Sequence, residues 1–88
     1  MRIKVRYFAR FRSIVGTGEE ELEAPNGITV RELIELLKER HPVLRTEVFA
    51  EDDDLVDVNV SRNGRYVGFD DVLQDGDVVA LFPPVSGG

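Results

Sequence analysis

Residues 78 to 82 read Val-Val-Ala-Leu-Phe, five apolar side chains in succession, with the polar Asp75-Gly76-Asp77 just before them and two prolines just after. Alternate side chains of an extended strand face opposite sides of a sheet. A run that is apolar at every position therefore needs cover on both faces and marks a central strand. With 88 residues, 42% hydrophobic and 32% charged, the chain has the make-up of one globular domain that could supply such cover. A chain this short buries roughly 60 to 65% of the surface it exposes when unfolded, which gives a modest core and little room for a deep enzyme cleft.

The preceding sequence supplies the neighbours. Residues 2 to 7 alternate strictly, with Ile3, Val5 and Tyr7 on one side and Arg2, Lys4 and Arg6 on the other, the period of a half-buried strand. Phe8, Phe11, Ile14 and Val15 recur at spacings of three and four before Gly16, which predicts a short helix ended by glycine. Residues 19 to 24, set between Gly-Thr-Gly and Pro25-Asn26-Gly27, read as an exposed strand paired with the first. Thr29 and Glu32 then form a capping box, and Val30, Leu33, Ile34 and Leu37 repeat at helical spacing. This predicts a helix over about 30 to 40 that stops before Pro42.

Alternation returns with Val56, Val58 and Val60 facing one way and Asp57, Asn59 and Ser61 the other. Asn63-Gly64 signals a hairpin, with a return strand from Arg65 to Gly68. The order strand, strand, helix, strand, strand, strand, with short helical turns between, is satisfied by an α+β domain over residues 1–82. It has a mixed five-stranded sheet, one main helix across a face and a short helix after strand 1. Residues 83–88, Pro-Pro-Val-Ser-Gly-Gly, are left as a flexible tail.

Several chemistries drop out. Without cysteine there is no disulfide, thiolate zinc site or thiol nucleophile. The net charge of -6 and the lack of a basic cluster argue against nucleic acid and favour protein partners. No apolar run approaches the roughly 20 residues that span a bilayer, so no membrane role and a cytoplasmic location are expected. The lone His41 suits a helix C-terminus better than catalysis. The run Glu51 to Asp54 lacks the spaced ligands of a calcium loop, and the Gly-Thr-Gly at 16 to 18 is no dinucleotide fingerprint. No metal site and no autonomous enzyme are expected.

Together with "LFPPVSGG", this pattern of elements resembles the ubiquitin-like β-grasp sulfur carriers, among them the small subunit of molybdopterin synthase and the archaeal small modifier proteins. The resemblance covers the whole chain: "ITVRELIELL", "VNVSRNG", "LQDGDVVALFPP" and the closing Gly-Gly. It implies that the first and last strands run parallel, side by side, in the middle of the sheet. It also implies that an adenylyltransferase of the ubiquitin-activating type uses ATP and Mg to adenylate the Gly88 carboxylate, with no cofactor bound by the chain itself. A sulfur donor would then convert the adenylate to a thiocarboxylate for a molybdopterin synthase large subunit. A cysteine-free chain can carry sulfur in this way, on its main chain.

On that reading each tail residue has a physical task. Gly87 and Gly88 lack Cβ and can pass through a channel too narrow for side chains. Pro83 and Pro84 hold the tail extended, and with Val85 and Ser86 they let it reach at most about 20 Å into a partner. The main helix can cover only one face of the sheet. The other is expected to present an apolar patch rimmed by positive charge, with Phe82, Leu81, Arg2, Lys4 and Arg6 as candidate docking residues, unless the first helix or the 42 to 50 loop covers it. Two other functions fit: a protein modifier joined through Gly88 to lysines of target proteins, and a passive β-grasp interaction module.

Overall fold

The computed structural model describes residues 1–47 and 58–83. Its strands are β1 (Arg2–Tyr7), β2 (Glu19–Glu23), β3 (Asn59–Arg62), β4 (Arg65–Tyr66) and β5 (Val78–Phe82). Its helices are α1 (Arg10–Val15), α2 (Val30–Arg40) and α3 (Val43–Glu47). The sheet order is β2-β1-β5-β3-β4. The fully apolar β5 lies in the middle, parallel to β1 and antiparallel to β3.

Side-chain parity decides which rows meet the helices. Ile3, Val5 and Tyr7 of β1, Val60 of β3, and Val79 and Leu81 of β5 are buried, and they form one core with Val30, Leu33, Ile34 and Leu37 of α2. Fully burying side chains of this size contributes about 1.5–3 kcal/mol each before the entropy of ordering is charged against it. Phe11 of α1 and Leu44 of α3 join the cluster, each wholly inaccessible.

Local signals hold the elements in place. The Thr29 hydroxyl accepts from the Glu32 N–H at 3.2 Å, and the Glu32 carboxylate accepts from the Thr29 N–H at 2.9 Å, so both halves of the capping box are present. α1 ends at Gly16, whose φ of 92° lets its N–H reach back to the Arg12 carbonyl. Asn63 and Gly64 have φ of 52° and 87°, the left-handed pair that a tight hairpin matched to strand twist requires.

The structure departs from the sequence reading in three places. Residues 43–47, expected in a loop, form α3, in which the Arg45 N–H bonds to the Pro42 carbonyl; a proline ahead of the first turn is preorganised for helix. The return strand β4 stops at Tyr66 rather than Gly68, because the chain turns where the Gly68 N–H bonds to the Asp71 carboxylate. β3 begins at Asn59, and Val58 is buried with Val60 as expected. Val56, Asp57 and the run Glu51 to Asp54 lie outside the described residues.

Candidate docking face and tail root

Because Val79 and Leu81 are paired with Val5 and Tyr7, the other parity of β5 must share a face with the basic residues of β1. Lys4 lies opposite Val78 and Arg6 opposite Ala80, while Asn59 and Ser61 of β3 lie opposite Phe82 and Ala80. Phe82 is thus on the sheet face turned away from α2. Leu81 is not: it is fully buried beneath the helix and leaves the list of candidate docking residues. Apolar side chains in both rows of β5 left its parity undetermined in the sequence; pairing with β1 fixes it. Ser61 lies on the open face yet is itself buried.

The apolar part of that face is aromatic. Phe8 and Phe82 stack with ring centroids 4.8 Å apart and planes 12° from parallel, and Tyr66 lies tilted against Phe82 at 6.2 Å. Phe8 and Phe82 are half-buried, whereas Tyr66 is 71% exposed. Sequence reasoning missed Phe8 by giving it to the first helix. One more step of the β1 alternation, which places Phe8 in the row of Arg6, could have found it. Tyr66 joins the group because it stands opposite Ser61 across the β3–β4 hairpin.

The expected basic rim is mostly neutralised. Arg2 pairs with Glu21 and Glu23 at 3.4 and 3.0 Å, and Lys4 pairs with Glu19 at 3.5 Å, so β2 lays a carboxylate row beside the basic row of β1. Exposed pairs of this kind contribute about 0–1 kcal/mol each, but they cancel the charge seen from outside. Arg6 stands opposite Glu19 in register without pairing to it, and its guanidinium carbon lies 5.6 Å from the Phe8 ring centroid instead.

Two polar knots brace the sheet on its α2 side, one at each end of the β1–β5 pair. Asp77, almost buried at the start of β5, accepts from Arg62 Nε at 2.6 Å, the Asn63 amide at 3.0 Å and the Gln74 N–H at 2.7 Å. Burial disfavours its charge, but these three bonds and the guanidinium outweigh that effect and hold its carboxyl below the usual value. At the other end, Glu20 accepts from Tyr7 at 3.0 Å and from both Arg40 and His41. Its carboxyl is likewise depressed, burial being overcome by bonds from His41, Tyr7 and Arg40. Burial, then the Glu20 charge and hydrogen bond, push the Tyr7 hydroxyl above its ordinary value. His41 closes α2, as its position in the sequence suggested, and it also makes this contact with Glu20.

β5 ends at Phe82, and Pro83 follows half-buried at the edge of the aromatic group. Pro84, Val85, Ser86, Gly87 and Gly88 lie outside the described residues. No group of side chains among the described residues is arranged to hold a metal ion, and none of their helices is long and apolar enough to cross a membrane.

The family model described as ThiS family matches residues 5–88. The small archaeal modifier protein 1 of Haloferax volcanii is 36% identical over 84 residues, which span 94% of this chain and 97% of that protein. The molybdopterin synthase sulfur carrier subunit of Chlamydomonas reinhardtii is 37% identical over 94 residues, spanning the whole of both. Among solved structures, a Pyrococcus furiosus protein provisionally named molybdopterin converting factor, subunit 1, is 52% identical. It has a TM-score of 0.81 and covers 97% of this chain and 99% of its own. A complex of subunits 1 and 2 of the Helicobacter pylori molybdopterin-converting factor contains a chain 26% identical, with TM-score 0.65 and full coverage of both.

Proposed function

The chain belongs to the ThiS family and has its ubiquitin-like β-grasp fold, and from that premise we propose that it is a sulfur carrier of the molybdopterin synthase type, acting through its Gly88 carboxyl. A carboxylate is a poor acyl donor, since its charge repels nucleophiles and its oxygen leaves badly. An adenylyltransferase using Mg and ATP joins the Gly88 carboxylate to AMP and releases pyrophosphate. The terminal sulfur of a persulfide donor then displaces AMP to give an acyl disulfide, and a second thiol of the donor attacks the donor's own sulfur in that bond, closing a disulfide and releasing the thiocarboxylate. The protein is a co-substrate, and a larger subunit holds the pterin precursor.

The observation that carries this reading is the course of β5. It is locked between β1 and β3, its last residue belongs to the aromatic face, and the next is Pro83. A body that docks by Phe8, Tyr66, Phe82 and Arg6 therefore presents the start of the tail at the edge of the contact. Pro83 and Pro84 aim it, Val85 and Ser86 span the approach, and Gly87 and Gly88 enter the partner's channel. The Helicobacter pylori complex of two subunits supports a larger subunit as one partner.

The experiment is activation of the full-length protein by its cognate adenylyltransferase, read by pyrophosphate exchange and intact mass. Wild type gains the mass of one oxygen exchanged for sulfur, whereas a protein lacking Gly88, or carrying one extra residue after it, forms no adenylate. Normal adenylation of either variant refutes the proposal. The similarity to a small archaeal modifier protein favours a second activity of the same terminus, transfer of Gly88 to lysines of target proteins. A Gly-Gly remnant on foreign lysines is its signature.

A further inference from the structure

We propose that an open pocket beside the aromatic face, lined by Arg6, Phe8, Arg12, Thr17, Gly18 and Glu19, receives an acidic side chain of the protein that docks there. Its volume is about 340 Å³. The identity of that docking protein rests on the function proposed above; the charge of the pocket does not.

On a chain of net charge -6, most basic residues of the sheet are neutralised, yet neither Arg6 nor Arg12 has a carboxylate partner among the described residues. The acidic residue of the pocket, Glu19, pairs with Lys4 rather than with either guanidinium. The Thr17 hydroxyl is likewise engaged, donating to the Glu19 carbonyl at 3.1 Å. Two uncompensated guanidiniums are thus left to line one concavity.

Arg12 is also seated. A Cβ built on Gly18 would lie 3.5 Å from its Cζ and Nε, ordinary van der Waals contact, so the guanidinium lies beside the Gly18 backbone. The Gly18 carbonyl is meanwhile occupied by the Tyr7 N–H at 2.9 Å, which fixes the loop to β1. Arg6 is braced on the other side by the Phe8 ring. Both side chains have therefore surrendered part of their rotamer freedom before any partner arrives, which lowers the cost of binding.

Position selects the ligand. Phe8 belongs both to this pocket and to the stack with Phe82, the last strand residue before the tail. A small free anion in so open a site keeps its water and gains little. A carboxylate carried on a surface that also covers Phe8 is desolvated together with the guanidiniums, and in that setting a charge pair is strong. The pocket lies to one side of the tail root, so such a pair would fix the rotation of the body about the tail, which the aromatic contact alone leaves loose.

The test measures binding of full-length protein to its cognate adenylyltransferase and to its cognate larger subunit. Wild type is compared with Arg12→Gln, Arg12→Lys, Arg6→Gln and the control Arg65→Gln, each checked for an unchanged thermal melt. Arg12→Gln and Arg6→Gln are expected to weaken at least one complex tenfold or more, with the loss shrinking at high salt. Arg12→Lys should lose less, and Arg65→Gln less than twofold. Wild-type affinity in Arg12→Gln, while Phe8→Ala weakens the same complex, overturns the acidic-contact proposal and leaves the docking face standing. Absence of any complex with wild type defeats the docking reading and this proposal with it. Saturable binding of inorganic phosphate below about 1 mM, seen at the Gly18 amide by NMR and abolished in Arg12→Gln, would identify a phosphate site and overturn it too.

Discussion

His41 Nε2 donates a hydrogen bond to the carboxylate of Glu20, a residue 21 positions earlier on the edge strand β2, and so ties the end of the main helix to the rim of the sheet. Tyr7 and Arg40 share the same carboxylate, so one side chain joins β1, β2 and α2. Edge strands fray and template aggregation when nothing anchors them.

Glu20→Gln keeps the shape and removes the charge. It is expected to cost about 1–3 kcal/mol at neutral pH, the range for weakening hydrogen bonds to a charged group. The sign of the pH effect follows from the depressed carboxyl. Its contribution is complete above the ordinary glutamate value of 4.5 and is lost as pH falls through the lower value in the folded protein. Urea unfolding of wild type and variant should therefore converge as pH is lowered below that range, and parallel curves would show that Glu20 carries no such contribution.

Asp77→Ala leaves Arg62, the Asn63 amide and the Gln74 N–H without their shared acceptor at the start of the central strand. A loss of about 3 kcal/mol or more is expected, since donors including a cation are stranded in a half-buried place. Asp77→Asn should recover part of it. Midpoints of chemical unfolding at constant slope measure both.

Thr29→Ala removes the acceptor of the Glu32 N–H and half of the capping box. About 1 kcal/mol is expected, with the loss spread along α2. Hydrogen exchange should quicken first in the amides of the opening turn, Val30 to Leu33. The docking face should not respond.

Phe8→Ala breaks the stack with Phe82 while leaving the core face of β1 intact. The partner's affinity is expected to fall at least tenfold, the usual cost of truncating a central aromatic anchor. Val72→Ala, 52% exposed and outside the aromatic group, is the control and should bind as wild type. Equal affinities for both variants would remove Phe8 from the interface.

Much of this architecture was legible because its causes are local. The alternation of residues 2 to 7, the Thr29–Glu32 box and the Asn63-Gly64 turn each express a backbone period or a torsional need within a few positions, and each reappears in the structure. What escaped was set by contacts distant in sequence. The five residues of α3 are too few to display a period, and Leu44 ties them to the core. The orientation of Leu81 is fixed by Tyr7, 74 positions away. The neutralised basic row escaped for the same reason, because Arg2 and Lys4 meet their glutamates only once β2 folds back along β1. The aromatic group needed Phe8, just past β1, brought together with Tyr66 of β4 and Phe82 of β5.

The placement of β5 between β1 and β3 also governs how the molecule bears mechanical load. A pull on Pro83, with the body held at its aromatic face, runs along the axis of the central strand. It strains the ladders to both neighbours in shear, with many bonds sharing the force, whereas a strand peeled from a sheet edge surrenders its bonds one by one. On the proposed function, an enzyme drawing the tail into a narrow tunnel would tug on this domain without unravelling it.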